Sequence, residues 1–76
     1  MNSNLIRILH TGLNVTQESL QPDATLADLG FDSLALVELS MLLKEQAQID
    51  ISDTDLHQAG TLGAINGLVE QKLAEQ

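Results

Sequence analysis

Ser33 is the residue of this chain whose type and surroundings most suggest chemistry. It lies in the segment LGFDSLALVEL, residues 29–39, between an aspartate and an apolar run that follows a glycine. A nucleophilic serine needs a base and an oxyanion hole, but His10 and His57 are distant in sequence and no Gly-x-Ser-x-Gly elbow occurs. We therefore predict that Ser33 does not catalyse and that the chain is not an enzyme.

Two interpretations of Ser33 stay open from its position alone. Asp32 is a good N-cap, so Ser33 can be an ordinary residue of a first helical turn. Alternatively, another enzyme can modify an exposed hydroxyl at this place, because the positive end of the helix dipole favours a phosphate ester. Such an ester is one way to attach a covalent prosthetic group.

The other polar candidates indicate no metal site. The acidic segment DISDTD, residues 50–55, lacks the glycine and the terminal glutamate of a calcium-binding EF-hand loop. We interpret Asp50, Asp53 and Asp55 as a solvated loop. His10 and His57 are interpreted as surface residues of their helices.

Apolar periodicity predicts the elements that position these residues. Four helices are expected: Asn4 to Gly12, Ser33 to about Ala47, Asp53 to Gln58, and a last helix from a Thr61 cap to about Leu73. The long connection from Asn14 to Asp32 contains spaced apolar residues, which indicate that it packs across the helices. No period-2 run supports a strand. We predict an all-α fold, a small four-helix bundle with a long loop between helices 1 and 2 and a short third helix.

Two glycines of the last helix allow two interpretations. Gly63 and Gly67 are four residues apart and therefore share one helix face. They either permit a close approach of another backbone or simply weaken the helix. The sequence alone does not decide between these.

The second helix has two apolar stripes. One stripe is expected to face the core: Leu36, Leu39, Leu43 and Ala47. The other, here called the outer stripe, lies roughly opposite and is bordered by Glu38 and Glu45: Leu34, Val37 and Met41. A helix buried all round would explain both, but 76 residues bury such a helix with difficulty. We therefore expect an exposed apolar patch edged with acid, which is typical of partner-binding helices.

Composition narrows the class of protein. The net charge of −8 argues against nucleic-acid binding and favours partners with basic surfaces. There is no cysteine for a disulfide, and no apolar run reaches the ~20 residues that span a bilayer. We expect a single cytoplasmic domain, residues 1–76, that is a monomer.

The segments around Ser33 resemble a known family, the acyl carrier proteins. LGFDSLALVEL is similar to the Asp-Ser-Leu attachment motif of that family, and DATLADLG to the segment that leads into the motif. IDISDTDL resembles the link to the short third helix, and AGTLGAI the start of the fourth. The resemblance covers nearly the whole chain at matching spacings. It implies that Ser33 bears a 4′-phosphopantetheine arm derived from coenzyme A, with Asp32 as its motif neighbour.

The resemblance also implies roles for other residues. It implies that partners dock on the outer stripe and its acidic border, which consist of Leu34, Val37, Glu38, Met41 and Glu45. Candidates to line an acyl cavity, for which ordinary core packing is an equal alternative, are Leu36, Leu39, Ile51, Leu56, Ala59 and Leu62. The implied partners are a phosphopantetheinyl transferase and acyltransferase and ketosynthase-type enzymes with basic docking surfaces.

Two positions of the sequence bear on the biosynthetic pathway in which such a carrier would act. Ala35 and Lys44 stand where carriers of fatty-acid synthesis usually have acids, so the chain looks closer to discrete carriers of polyketide or other secondary-metabolite pathways. An aminoacyl or peptidyl carrier is an alternative, although those more often have glycine at the position of Asp32. A third alternative, from a different class, is an unmodified acidic interaction module that presents the outer stripe.

Overall fold

The structure, a computed structural model, describes residues 1–75 and consists of helices and their connections. The α-helices are α1 (Ser3–Arg7), α2 (Ser33–Ala47), α3 (Asp53–Ala59) and α4 (Leu62–Ala74). A π-helical segment, Ile8–Gly12, continues α1 directly, and a 3₁₀ turn, Gln17–Ser19, lies in the connection to α2. Residues 1–75 contain no strand, only an isolated antiparallel bridge between Thr25 and Thr61. The all-α prediction, with its long loop and short third helix, is confirmed.

Local hydrogen bonds explain where α2 begins and ends. The Asp32 carboxylate accepts from the Ala35 N–H at 2.9 Å and caps the first turn, and Gly30 turns the chain into it with φ +71°. Gln48 ends the helix in the left-handed conformation, with φ +56°. The predicted bounds of this helix are confirmed.

The helices that follow α2 begin with the same kind of cap. The Ser52 hydroxyl accepts from the Asp55 N–H at 3.1 Å, and the Thr61 hydroxyl accepts from the Ala64 N–H at 3.2 Å. Gly60, with φ +80°, separates α3 from α4. These two helices are therefore specified by short-range sequence signals.

The core consists of aliphatic side chains from every part of the bundle. The Leu39 and Leu56 side chains are completely buried, and no polar side chain within residues 1–75 is buried. The other buried members are Leu5, Ile8, Leu9, Val15, Leu26, Leu36, Leu43, Ile49, Ile51, Leu62, Ile65 and Val69. Burial of such side chains stabilises the fold by ~1.5–3 kcal/mol for each large aliphatic group.

The long connection between the first two helices is fixed against the start of α4. The Leu62 N–H donates to the Ala24 carbonyl at 3.0 Å, and the Gly63 N–H donates to the Pro22 carbonyl at 2.8 Å. A Cβ atom on Gly63 would lie 2.8 Å from that carbonyl oxygen, whereas a Cβ on Gly67 would meet nothing within 4 Å. Close backbone approach therefore explains Gly63, and Gly67 has no such contact.

Candidate functional site

Ser33 is the first residue of α2, and its side chain is exposed. Within residues 1–75 its hydroxyl makes no hydrogen bond, because the neighbouring Asp32 carboxylate is the group that caps Ala35. The N–H groups of Ser33 and Leu34 belong to the first helical turn, where no i−4 carbonyl is available to them. An anionic group joined to the Ser33 hydroxyl would thus lie at the positive end of α2.

Ser33 also borders a groove of about 220 Å³ between the start of α2 and α3. This cavity, here called the Ser33 groove, is lined by Ser33, Leu36, Asp53, Thr54, His57 and Gln58. The α3 residues form two i, i+4 pairs, so one face of that helix provides all four. Asp53 and His57 are both exposed, as expected. Asp53 and Asp55, interpreted from the sequence as a solvated loop, lie in the first turn of α3 instead. The sequence did not predict that Asp53 and His57 line the same groove as Ser33.

The structure therefore collects a serine, a histidine and an aspartate in one groove, and their geometry bears on catalysis. All three side chains are exposed. Within residues 1–75 no hydrogen bond joins Ser33 to His57, and none joins His57 to Asp53. A nucleophilic triad requires both of these bonds and a water-excluding site. The arrangement leaves the Ser33 hydroxyl exposed and does not activate it as a nucleophile.

The outer stripe of α2 faces solvent. Leu34 is 73% exposed, Met41 55% and Val37 40%, while Leu36, Leu39 and Leu43 on the other side are buried. Glu38 and Glu45, at the border, are exposed as well. The prediction of an exposed apolar patch edged with acid is confirmed as a feature of the surface. Its role in docking stays a prediction.

Lys44 is the cation closest in sequence to the outer stripe. Its ammonium nitrogen lies 3.8 Å from a carboxylate oxygen of Asp50, and both side chains are largely exposed. Solvent screening makes such a pair weak. Lys44 therefore remains a cation near the outer stripe, where Glu38 and Glu45 are the neighbouring acids.

The candidate cavity residues are part of the core. Leu39, Leu56 and Leu62 are completely buried, Ile51 and Leu36 nearly so, and Ala59 packs against the core while half-buried. Leu36 is the member that also lines the Ser33 groove. It therefore connects the surface next to Ser33 with the packed interior.

Metal binding and membrane insertion find no support in the described part of the chain. Residues 1–75 contain no group of three or more His, Cys, Asp or Glu side chains that could hold a metal ion. None of the helices in this range has the length and hydropathy that spanning a bilayer requires.

Comparisons with known proteins identify the family to which this chain belongs. A family model described as "Phosphopantetheine attachment site" matches residues 3–69. Two curated acyl carrier proteins, from strains Tuc7 and APS of Buchnera aphidicola subsp. Acyrthosiphon pisum, are each 36% identical over 67 residues, which cover 87% of this chain and 84% of theirs. No solved structure matches. The chain therefore belongs to the acyl carrier protein family, whose members have a phosphopantetheine attachment site.

Family membership defines the general role and the prosthetic group. Acyl carrier proteins are carriers rather than enzymes, and their prosthetic group is a covalently attached phosphopantetheine. The residues around Ser33 fit this group. The Ser33 hydroxyl is exposed and makes no hydrogen bond within the described residues 1–75. The helix terminus favours a phosphate there, and the Ser33 groove leaves space beside the hydroxyl.

Proposed function

We propose that Ser33 is the attachment residue and that this protein presents acyl groups to successive enzymes. The observation that supports this most directly is the exposed, unbonded Ser33 hydroxyl at the start of α2, within an Asp-Ser-Leu sequence. When attached, the arm supplies a terminal thiol that holds acyl groups as thioesters. The protein itself supplies position and partner recognition.

Attachment requires one group transfer, performed by a phosphopantetheinyl transferase. The Ser33 Oγ–phosphorus bond forms, the pyrophosphate bond of coenzyme A breaks, and adenosine 3′,5′-bisphosphate leaves with the electron pair. The hydroxyl proton passes to a base of the transferase. This chain contributes an accessible nucleophilic oxygen and, through the α2 terminus, a favourable place for the resulting phosphodiester.

Partner enzymes are proposed to dock on the outer stripe. Leu34, Val37 and Met41 offer apolar contact, and Glu38 and Glu45 would pair with basic groups of a transferase, an acyltransferase or a ketosynthase. A flexible thioether such as that of Met41 suits a surface that meets several partners. Association is expected to be weak and salt-sensitive, since the carrier must leave each enzyme.

The acyl cargo is proposed to reach the bundle interior past Leu36. That residue lines the Ser33 groove and packs in the core with the remaining cavity candidates. Those candidates are Leu39, Ile51, Leu56, Ala59 and Leu62. An acyl chain entering here would have to displace side chains that now pack against one another.

A polyketide or other secondary-metabolite pathway is our proposal for the finer role. Carriers of fatty-acid synthesis usually have acids at the positions of Ala35 and Lys44. The proposed docking helix therefore has fewer acids, and Lys44, despite its weak pair with Asp50, adds a cation. The curated relatives are named acyl carrier protein without a pathway. Asp32 argues against the aminoacyl-carrier alternative, and comparing acyl with aminoacyl donors in loading assays tests it.

We further propose that residues 1–76 form one monomeric domain in the cytoplasm, where coenzyme A is available.

Intact mass measurement tests the attachment residue. The protein is incubated with coenzyme A and a broad-specificity phosphopantetheinyl transferase, and we expect a gain of one phosphopantetheine. S33A should abolish the gain. S3A is the matched control, because Ser3 is also an exposed first residue of a helix that follows an Asx cap.

The possible results separate the carrier from the unmodified interaction module. Loading of the wild type and S3A but not of S33A supports the proposal. Loading of S33A would assign the arm to another residue. No gain with several transferases would leave the outer stripe as the functional feature, and that module would then predict that S33A retains full function.

A further inference from the structure

We propose that a groove on the outer side of α1 is a second docking surface, and that its partner is an acidic amphipathic helix of another protein. The groove lies between residues 3–11, in α1 and its π-helical continuation, and residues 17–22 of the connection that follows. It shares no residue with the outer stripe or with the Ser33 groove. A protein bound here would therefore leave the residues of the proposed α2 docking face free for another partner.

Two adjoining cavities form this surface, which we call the α1 groove. Their volumes are about 330 Å³ and about 310 Å³, and both are lined by Ile6, Gln17 and Leu20. The principal residues of the α1 groove are Ile6, Arg7, His10, Gln17, Leu20 and Pro22. A helical segment such as residues 3–11 spans ~12 Å, at ~1.5 Å per residue, so the groove has the length of about two turns of a facing helix.

The α1 groove has a local charge opposite to that of the molecule as a whole. Arg7 and His10 line it, and among the described residues that line its two cavities there is no aspartate or glutamate. The Ser33 groove, in contrast, includes Asp53, and a cavity between α3 and α4 includes Asp55. In a chain with a net charge of −8, the α1 groove is thus a place where a carboxylate meets cations and no lining acid.

Arg7 is available for a contact with another molecule. It is exposed, and its guanidinium makes no hydrogen bond or ion pair in the part of the chain that the structure describes, residues 1–75. Lys44, by comparison, lies 3.8 Å from a carboxylate oxygen of Asp50. A guanidinium can bind a carboxylate through two parallel hydrogen bonds, which add orientation to affinity. An acid at the edge of a partner helix would find this donor unoccupied.

His10 adds a second polar group, three residues after Arg7. Its Nδ1 lies 3.1 Å from the Val15 carbonyl oxygen, and because a carbonyl can only accept, this nitrogen holds the proton. Nε2 is then the ring nitrogen left for a partner, and it can donate to a carboxylate when the imidazole is protonated. His10 belongs to the π-helical segment Ile8–Gly12, and π-helical turns are frequent at functional sites.

The apolar part of the α1 groove favours a protein partner over a small ligand. Ile6 and Leu20 are half-buried and Met1 is 40% exposed, so the groove stays open to solvent along its length. Small-molecule sites bury ~70–90% of the surface of their ligand. An amphipathic helix needs no such enclosure, because its own polar side covers the apolar side that lies in the groove. Acids beside that apolar side would reach Arg7 and His10.

The net charge of the protein opposes an acidic partner at long range, so the ionic strength matters. At 0.15 M salt, exposed charges separated by more than a Debye length of ~8 Å are largely screened from each other. A carboxylate in contact with Arg7 lies well within that distance. Binding is therefore to be measured near 0.15 M salt, where the contact pair remains and most of the distant repulsion does not.

A nuclear magnetic resonance titration of the ¹⁵N-labelled protein tests the surface. The probe is a synthetic peptide of ~15 residues with leucines along one side and glutamates at its edges, and the control peptide has lysine in place of each glutamate. The acidic peptide should shift the backbone signals of Ile6, Arg7 and Leu20 and leave those of Leu34 and Met41 in place. The basic peptide should not shift the signals of the α1 groove.

Two variants with equal net charge separate a contact at Arg7 from general attraction. R7E should lower the affinity for the acidic peptide by ~10-fold or more, since it replaces a pairing cation by a repelling anion. K72E makes the same change on α4, outside both cavities, and should alter the affinity by less than ~2-fold. R7E should also acquire binding of the basic peptide at the same residues. Circular dichroism verifies that both variants remain folded.

Four results would overturn the proposal. The acidic peptide leaves the signals of the α1 groove in place, or R7E and K72E lower its affinity equally. Decanoate shifts these signals and the peptide does not, which would assign the groove to a small anionic amphiphile. The signals shift with protein concentration alone, which would assign the groove to a second copy of this chain. Loading at Ser33 is measured separately by mass, so either proposal can fail without the other.

Discussion

Ser33 and Ser3 occupy equivalent places at the residue scale, but the surfaces next to them differ. Each is an exposed first residue of a helix that follows an Asp or Asn cap. Both also border a groove, but Ser33 differs from Ser3 in adjoining the exposed apolar stripe that begins at Leu34. The first helical position makes a serine hydroxyl accessible, and the neighbouring surfaces determine whether another protein can bind there and modify it.

Two leucines of α2 give a residue-scale prediction about stability. L39A removes a completely buried side chain and should lower the free energy of unfolding by ~2–5 kcal/mol. L34A truncates a side chain that is 73% exposed and should change it by no more than ~0.5 kcal/mol. Urea denaturation of both variants measures the difference. A loss below ~0.5 kcal/mol for L39A would contradict its place in the core.

At the scale of elements, α2 connects stability with function because its two sides have different environments. Leu36, Leu39 and Leu43 fix the helix to the core, while the outer stripe remains in solvent beside Glu38 and Glu45. The buried side thereby holds the exposed side and Ser33 in a fixed relative orientation. The proposed docking requires this fixed orientation, because a partner would have to contact the outer stripe and reach Ser33 at the same time.

The glycines of α4 provide an element-scale prediction with a matched pair. G63A would place a methyl group 2.8 Å from the Pro22 carbonyl oxygen, a backbone atom that must move, so we expect a loss of ~1–3 kcal/mol. G67A meets nothing within 4 Å in the helix interior and should gain up to ~1 kcal/mol from helix propensity. Urea midpoints measure both. Equal effects of the two variants would argue against the close approach of the long connection.

Elements defined by short-range signals could be predicted from the sequence. The cap at Asp32 and the uninterrupted periodicity give the bounds of α2, and Asn14 ends the first helical region with φ +57°. Gly12, the predicted last residue of the first helix, lies in a π-helical segment rather than in an α-helix. An α-helix and a π-helix share the same residue preferences over so few positions, so periodicity could not separate them.

Features that join distant parts of the chain could not be predicted. Gly63 approaches Pro22, and Ser33 and His57 come to line one groove, only after the helices pack. Neither contact leaves a spacing signal in the sequence. The Asp-Ser-Leu motif could be recognised because its residues are contiguous, whereas the residues that line the Ser33 groove come from two helices.

At the scale of the whole molecule, charge governs how partners approach. Eleven acidic residues oppose three basic ones, so the protein attracts a basic surface before contact. This attraction acts over about a Debye length, ~10 Å at 0.1 M salt. General acidity speeds every such encounter, whereas the proposed docking face would orient a partner at Ser33 through the acids beside the outer stripe.

Charge reversal at two sites separates orientation from general attraction. E38K and E70K change the net charge equally, but Glu38 borders the outer stripe and Glu70 lies on α4, and both side chains are exposed. We expect E38K to lower kcat/KM for transfer of the arm by ~10-fold at low salt, as loss of an interfacial ion pair worth ~1.4 kcal/mol would do. E70K should have a much smaller effect, and raising the ionic strength should narrow the gap between the two variants. Equal rates for E38K and E70K at low salt would show that net charge alone guides the transferase, and the outer stripe would lose its role as the docking face.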